Sequence, residues 1–192
     1  MLKPLLRGTI LGGLMAFLWS SVSWELFGWH EKPVHSFQNE DEVARVIESH
    51  AAESGVYLLP GSPWQTSMTG EQSKTARDEL MKKMQSGPIV FAAIQRNGVK
   101  SSTQFFLMQL LSLLAAAFLL SWLLLQTSGL SYWRRVIFLG AIGLAASVIV
   151  DLPNWNWWGF SGTFTAVNLA DNALTWIFAG LVMAKAGYRK TA

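Results

Sequence analysis

The sequence predicts an all-α membrane protein: a four-helix transmembrane bundle with a small α/β or α+β extracytoplasmic domain inserted between the first and second spans. Three observations lead there. Only 14% of the residues are charged and 51% are hydrophobic, whereas soluble domains carry about 25% charged residues. The charges gather in residues 31–100 and at the two chain ends, leaving long runs almost free of them. The cations beside those runs share one side of the predicted membrane.

Span 1 is predicted over residues 8–28, after a short basic segment, 1–7, that holds Lys3 and Arg7. A helix rises about 1.5 Å per residue, so about 20 residues cross a hydrocarbon layer of about 30 Å. A cleaved signal peptide is the alternative, because Ser21-Val22-Ser23 is a weak small-x-small site. The apolar stretch continues through Trp24, Leu26, Phe27 and Trp29, longer than a signal sequence needs, which favours a retained anchor.

Residues 29–103 form the predicted outer domain, near the smallest size that folds alone. Asn39 with Glu42 reads as a capping box opening a helix through about Ser54, with Gly55 as its stop. His50 falls on a face of that helix. Val56–Leu59 reads as a strand ended by Pro60-Gly61-Ser62-Pro63. Thr69 with Gln72 opens a second helix through about Gln85. Ile89–Gln95 reads as a strand, and Asn97-Gly98 as a tight turn pairing it with residues 99–103.

Span 2 is predicted over 104–126, followed by a cytoplasmic loop, 127–135. Span 3 covers 136–152, stopped by Pro153. An aromatic interfacial loop, 153–162, precedes span 4 at 163–185 and a cytoplasmic tail at 186–192. Lys3, Arg7, Arg134, Arg135, Lys185, Arg189 and Lys190 share one side, which carries no Asp or Glu. That side is the cytoplasmic one, so both termini are expected inside a plasma (inner) membrane. The outer domain holds eight cations against nine acids. The net charge of +3 is therefore a matter of topology, and no nucleic-acid partner is expected.

Three groups of residues invite a functional reading. Asn168, Asp171, Asn172 and Thr175 stand at i, i+3, i+4 and i+7 of span 4 and form one polar stripe. An aspartate at the middle of a span costs about 2.5–3.5 kcal/mol to insert, so Asp171 must face the bundle interior, be protonated or bind something. Hydrogen bonds to Gln109, Ser112 or Ser147 are the structural version of that requirement. The second group, Glu25, His30, His35 and Asp151, lies at the outer boundary beside Glu31 and has donors for a cation or a proton, although its spacing matches no metal signature. The third, Trp155, Trp157 and Trp158, is an interfacial belt or an aromatic lip for a lipid, a quinone or a partner helix. Gly8, Gly12 and Gly13 on span 1, and Gly140 and Gly143 on span 3, offer small faces for close helix packing.

The absence of cysteine leaves no disulfide framework and no thiolate metal site. No dinucleotide fingerprint, phosphate loop, zinc-protease motif or serine-hydrolase elbow occurs, so no cofactor and no catalytic residue is expected. The leading expectation is a non-enzymatic accessory or assembly subunit that binds another membrane protein or itself, with lipids around it. The alternative is a small oligomeric transporter or ion-coupled carrier built on Asn168, Asp171 and Asn172. A third reading is a membrane-surface metal site or enzyme at Glu25, His30, His35 and Asp151.

Overall fold

The computed structural model describes residues 2–61, 69–98, 101–127 and 129–186. Along the chain run α1 (Leu2–Leu26), α2 (Glu40–His50), β1 (Gly55–Leu59), α3 (Gly70–Ser86), β2 (Val90–Ile94), α4 (Ser102–Gln126), α5 (Tyr132–Trp158) and α6 (Gly162–Met183). They fall into two compact units, one holding α1, α4, α6 and almost all of α5, the other holding α2, α3, β1 and β2.

The first unit contains four helices long and apolar enough to cross a membrane, with best windows of mean hydropathy between 1.3 and 2.2. This makes the chain a multi-pass membrane protein by length and composition. Between 22% and 28% of each window is covered by the rest of the chain. On α1, α4 and α5 exposed apolar side chains such as Leu18, Phe106 and Ile137 remain for lipid or for another protein.

Helix α1 starts six residues earlier than the apolar run because Lys3 and Arg7 are good helix formers and Pro4 sits in the first turn, where no amide hydrogen is missed. It ends at Leu26, and Gly28 at φ +58° reverses the chain. Pro153 does not stop α5, contrary to the sequence reading: the helix runs on to Trp158. A proline removes one backbone bond and leaves the following turns free to continue, a loss membrane helices tolerate. The true stop is Gly159 at φ +75°. Residues 153–158 are therefore helix and not loop. Ser161 caps α6, its hydroxyl accepting from the Phe164 amide at 3.1 Å.

Glycines bring the helices together. A side chain at Gly12 would strike Met183 of α6, and one at Gly13 would come within 3.0 Å of the Leu114 backbone on α4. On α5, Gly140 faces Ile177 and Gly143 faces Trp176, both on α6. Around these crossings Ala16, Ala117, Leu120, Leu124, Leu139, Trp176, Ala179 and Met183 form the buried core. At one end of the pair α5–α6, Tyr132 donates to the Leu181 carbonyl at 3.0 Å and Arg135 to the Ala184 carbonyl at 3.3 Å. These bonds satisfy carbonyls that the end of α6 leaves open, and a cation is favoured there. A β-carbon at Gly143 would lie 2.4 Å from Trp176 Cδ1 and 2.8 Å from the Asn172 carbonyl oxygen. Gly143→Ala is expected to cost about 1–3 kcal/mol, read as a lowered SDS unfolding midpoint in mixed micelles.

In the second unit Asn39 caps α2, accepting from the Glu42 amide at 3.2 Å while its side-chain amide donates to the Glu42 carboxylate at 2.9 Å. Helix α2 ends at His50, four residues before the Ser54 expected from sequence, and Gly55 opens β1 rather than stopping a helix. The reason lies in Arg96, which donates to the Glu48 carbonyl at 3.0 Å and the Ala52 carbonyl at 2.8 Å. Its own amide donates to Ser54 Oγ at 3.1 Å. With those carbonyls engaged, the chain has no need of a further helical turn. Thr69 and Gln72 make the reciprocal capping box of α3.

Strands β1 and β2 pair antiparallel, Gly55 opposite Ile94 and Leu59 opposite Val90. Among the described residues the partner of β2 is β1, whereas residues 99–103 are its expected partner from sequence. Val99 and Lys100 lie outside the described residues, as does the Ser62-Pro63 half of the predicted turn. Ser102 and Thr103 belong to the first turn of α4. The two longer apolar segments pair with each other because together they bury more than a short polar tail could offer. Arg96→Ala is expected to speed amide exchange in the last turn of α2, by loss of about 1 kcal/mol of capping.

Candidate functional site

The polar stripe of α6 serves two neighbours. At 100° per residue, Asp171 and Asn172 lie on opposite flanks of the line through Asn168 and Thr175. Asp171 turns to α1, whereas Asn168 and Asn172 turn to α5.

On the first flank, two residues one helical turn apart on α1 reach the carboxylate. Trp19 donates from Nε1 to Asp171 Oδ1 at 2.8 Å, and Ser23 donates from Oγ to the same oxygen at 2.7 Å. The reversal at Gly28 then returns His30, whose Nε2 lies 3.4 Å from Asp171 Oδ2 and 3.1 Å from Ser23 Oγ. Trp29 Nε1 donates to Ser23 Oγ at 2.9 Å. Since the single proton of Ser23 points at Asp171, the imidazole Nε2 must carry its own hydrogen and donate. The Trp19, Trp29 and Ser23 donors each thereby have an acceptor. Ser23 and His30 are buried, and the His30 ring is stacked on Trp24 with centroids 4.0 Å apart. Thr175 is buried and bonds back to the Asp171 carbonyl at 2.8 Å.

On the second flank, Asp151 of α5 is held by two side chains, one of which is itself held by a third. Ser147 donates to its Oδ2, and Asn168 donates to its Oδ1 at 3.2 Å. Asn172 donates to Ser147 Oγ at 3.2 Å. Ser147 and Asp151 are both buried. Two carboxylates thus bind α6 to its neighbours, one to α1 and one to α5.

The trio Ser23, His30 and Asp171 has the residue types of a hydrolase triad without its geometry. A triad needs the carboxylate on one ring nitrogen and the serine on the other, with the serine proton aimed at the ring. Here both contact Nε2, and the serine proton goes to the carboxylate. That arrangement holds helices together and does not prepare a nucleophile.

The sequence-derived groups are redistributed. Gln109 and Ser112 do not reach Asp171, and Ser147 bonds Asp151 instead. Glu25, His30, His35 and Asp151 do not converge: His30 joins Asp171, Asp151 joins α6, and Glu25 and His35 are exposed. Among the described residues no three His, Asp or Glu side chains are grouped to hold a metal ion. Trp155, Trp157 and Trp158 are exposed on the last turns of α5. Trp19 and Ser23 were not singled out from sequence as partners of Asp171. Their signal is positional, for they continue the stripe of Gly12 and Ala16 at steps of four, three and four.

No family model, curated protein or solved structure matches this chain.

Proposed function

We propose that the chain is a non-enzymatic accessory or assembly subunit of a membrane complex. Its four helices form a transmembrane bundle in a plasma (inner) membrane, with both termini cytoplasmic and residues 29–103 outside. The burial of Gly12, Gly13, Ala16 and Ser23 in the helix contacts supports a retained first span, since cleavage near Ser23 would strip the core of one of its walls.

One observation carries the reading. In the second unit the ribbon β1–β2 is apolar on both faces. On one face Val56 and Leu58 are exposed by 65% and 42%, while Phe91 beside them stacks on Trp158 with ring centroids 4.8 Å apart. A two-stranded ribbon is marginal by itself, and the exposed apolar side chains left on this face suit a partner. Purification through a C-terminal tag in mild detergent is expected to recover a stoichiometric membrane-protein partner. Leu58→Glu is expected to reduce that recovery at least about tenfold, because a carboxylate placed in an apolar contact loses well over 1.4 kcal/mol. A tagged chain that purifies alone in every mild detergent refutes the proposal.

The carrier reading has less support. Trp19 and Ser23 both donate to Asp171 Oδ1 and His30 faces Oδ2, so a travelling ion would have to compete with contacts that join α6 to α1.

A further inference from the structure

Between the outer parts of α1 and α4 lies an open groove of about 380 Å³, lined on α1 by Ser20, Trp24 and Glu25 and on α4 by Phe106 and Gln109. Its polar groups are unusual for a surface that faces lipid. Neither the Glu25 carboxylate nor the Gln109 amide nor the Ser20 hydroxyl has a hydrogen-bond or ion-pair partner among the described residues. Depth separates them. Ser20 is six residues from the end of α1 and Gln109 seven from the start of α4, which sets both about 10 Å inside the helix ends. Glu25 stands at the rim, one residue from the end of α1.

Depth also decides what fits. An acyl chain fills an apolar groove and brings no hydrogen-bonding atom to the level of Gln109 and Ser20. A free side-chain amide in hydrocarbon costs several kcal/mol. Water from the interface can serve Glu25 but reaches less readily the groups about 7 Å further in. The occupant that meets both levels is a second helix, with a polar side chain at the deep level and a cation near the rim. The wall that meets it is already fixed, because Trp24 is stacked on His30, and His30 is bonded into the Asp171 group. A rigid aromatic wall lowers the entropy lost on docking.

We infer that this groove seats a transmembrane helix of a partner protein, one that carries Asn, Gln, Ser or Thr opposite Gln109 and a Lys or Arg about five residues nearer the outer surface, opposite Glu25. The inference rests on the accessory-subunit reading and adds to it the site and the chemistry of the partner.

The test is a p-benzoylphenylalanine photocrosslinker in place of Phe106, which lines the groove beside Gln109, in the full chain, in native membranes, with a control at the exposed Ile137 of α5. A protein adduct is expected at 106 and not at 137, and mass spectrometry of the adduct is expected to return a transmembrane segment with the stated pair of residues. Glu25→Lys is expected to reduce the adduct at least about tenfold, and reversing the partner's cation to Glu is expected to restore it. Gln109→Leu, which suits lipid better than the native residue, gives the same reading by loss of partner recovery if Glu25→Lys fails to accumulate. Adducts only to lipid, only to a second copy of this chain, or to a segment lacking the pair overturn the inference. A partner recovered at full stoichiometry by both Glu25→Lys and Gln109→Leu chains overturns the groove and leaves the accessory-subunit reading standing. A chain that purifies without any partner overturns both.

Discussion

Asp171→Ala is expected to destabilise the helix assembly by about 2–4 kcal/mol. The carboxylate accepts from Trp19 and Ser23 and faces His30. Removing it leaves the buried Ser23 hydroxyl and the half-buried Trp19 Nε1–H without this acceptor, at about 1–3 kcal/mol for each donor left unsatisfied, while His30 Nε2 keeps Ser23 Oγ as a partner. Single interhelical bonds in membranes average only about 0.6 kcal/mol when measured, which holds the total below the simple sum. Asp171→Asn is expected to cost about 1 kcal/mol. Its amide oxygen still serves Trp19 and Ser23, and only the contact with His30 is lost. The measurement is the SDS unfolding midpoint in mixed micelles, followed by tryptophan emission, which includes Trp19 and Trp29. A carrier working through Asp171 gives the opposite order, with Asn abolishing function and leaving stability almost intact. Equal midpoints for wild type and Asp171→Ala would remove the structural role assigned to this residue.

The parts of the structure that sequence could reveal are those fixed by local physics. Long apolar runs can only be helices in a membrane, and they appear within a few residues of their expected ends. Asn39 and Thr69 cap helices because the side chain that caps lies three residues from the amide it serves. Pro153 was misread because a proline forbids one hydrogen bond locally, and whether a helix survives that loss depends on its surroundings. The tight turn at Asn97-Gly98 is a local signal, whereas the pairing of β2 with β1, some thirty to forty residues away, rests on apolar cross-strand contacts that no local pattern reveals.

The site shows the same division. Helical spacing puts Asn168, Asp171 and Asn172 on one face, yet spacing alone does not say that two helices share that face, Asp171 going to α1 and the asparagines to α5. His30 was grouped with Glu25 and His35 because they are neighbours in sequence. The positive φ of Gly28 sends it back to Asp171, 141 positions away. Contacts of that range are set by how four helices pack, and no pattern within one of them encodes it.

A cysteine placed in the second unit is expected to react with a membrane-impermeant maleimide on intact cells, and one placed between α4 and α5 is expected to stay unmodified until the cells are opened. The chain has no cysteine of its own, so Ser86→Cys and Ser131→Cys, both at exposed positions, each report one site without background. The expected contrast is close to all or none, because the charge asymmetry behind it is large. Seven Lys and Arg residues flank the spans on one side, without an acid among them. Carrying them outward against a membrane potential costs about 2.3 kcal/mol per charge per 100 mV, or roughly 16 kcal/mol per 100 mV for the set. The 29–103 segment, with its eight cations and nine acids, costs almost nothing on that count in either direction. The short cationic flanks are therefore expected to choose the orientation, with the larger segment carried across. Labelling of Ser131→Cys from outside intact cells would place the apolar ribbon of β1 and β2 in the cytoplasm, and the partner proposed for it would then have to be sought on that side.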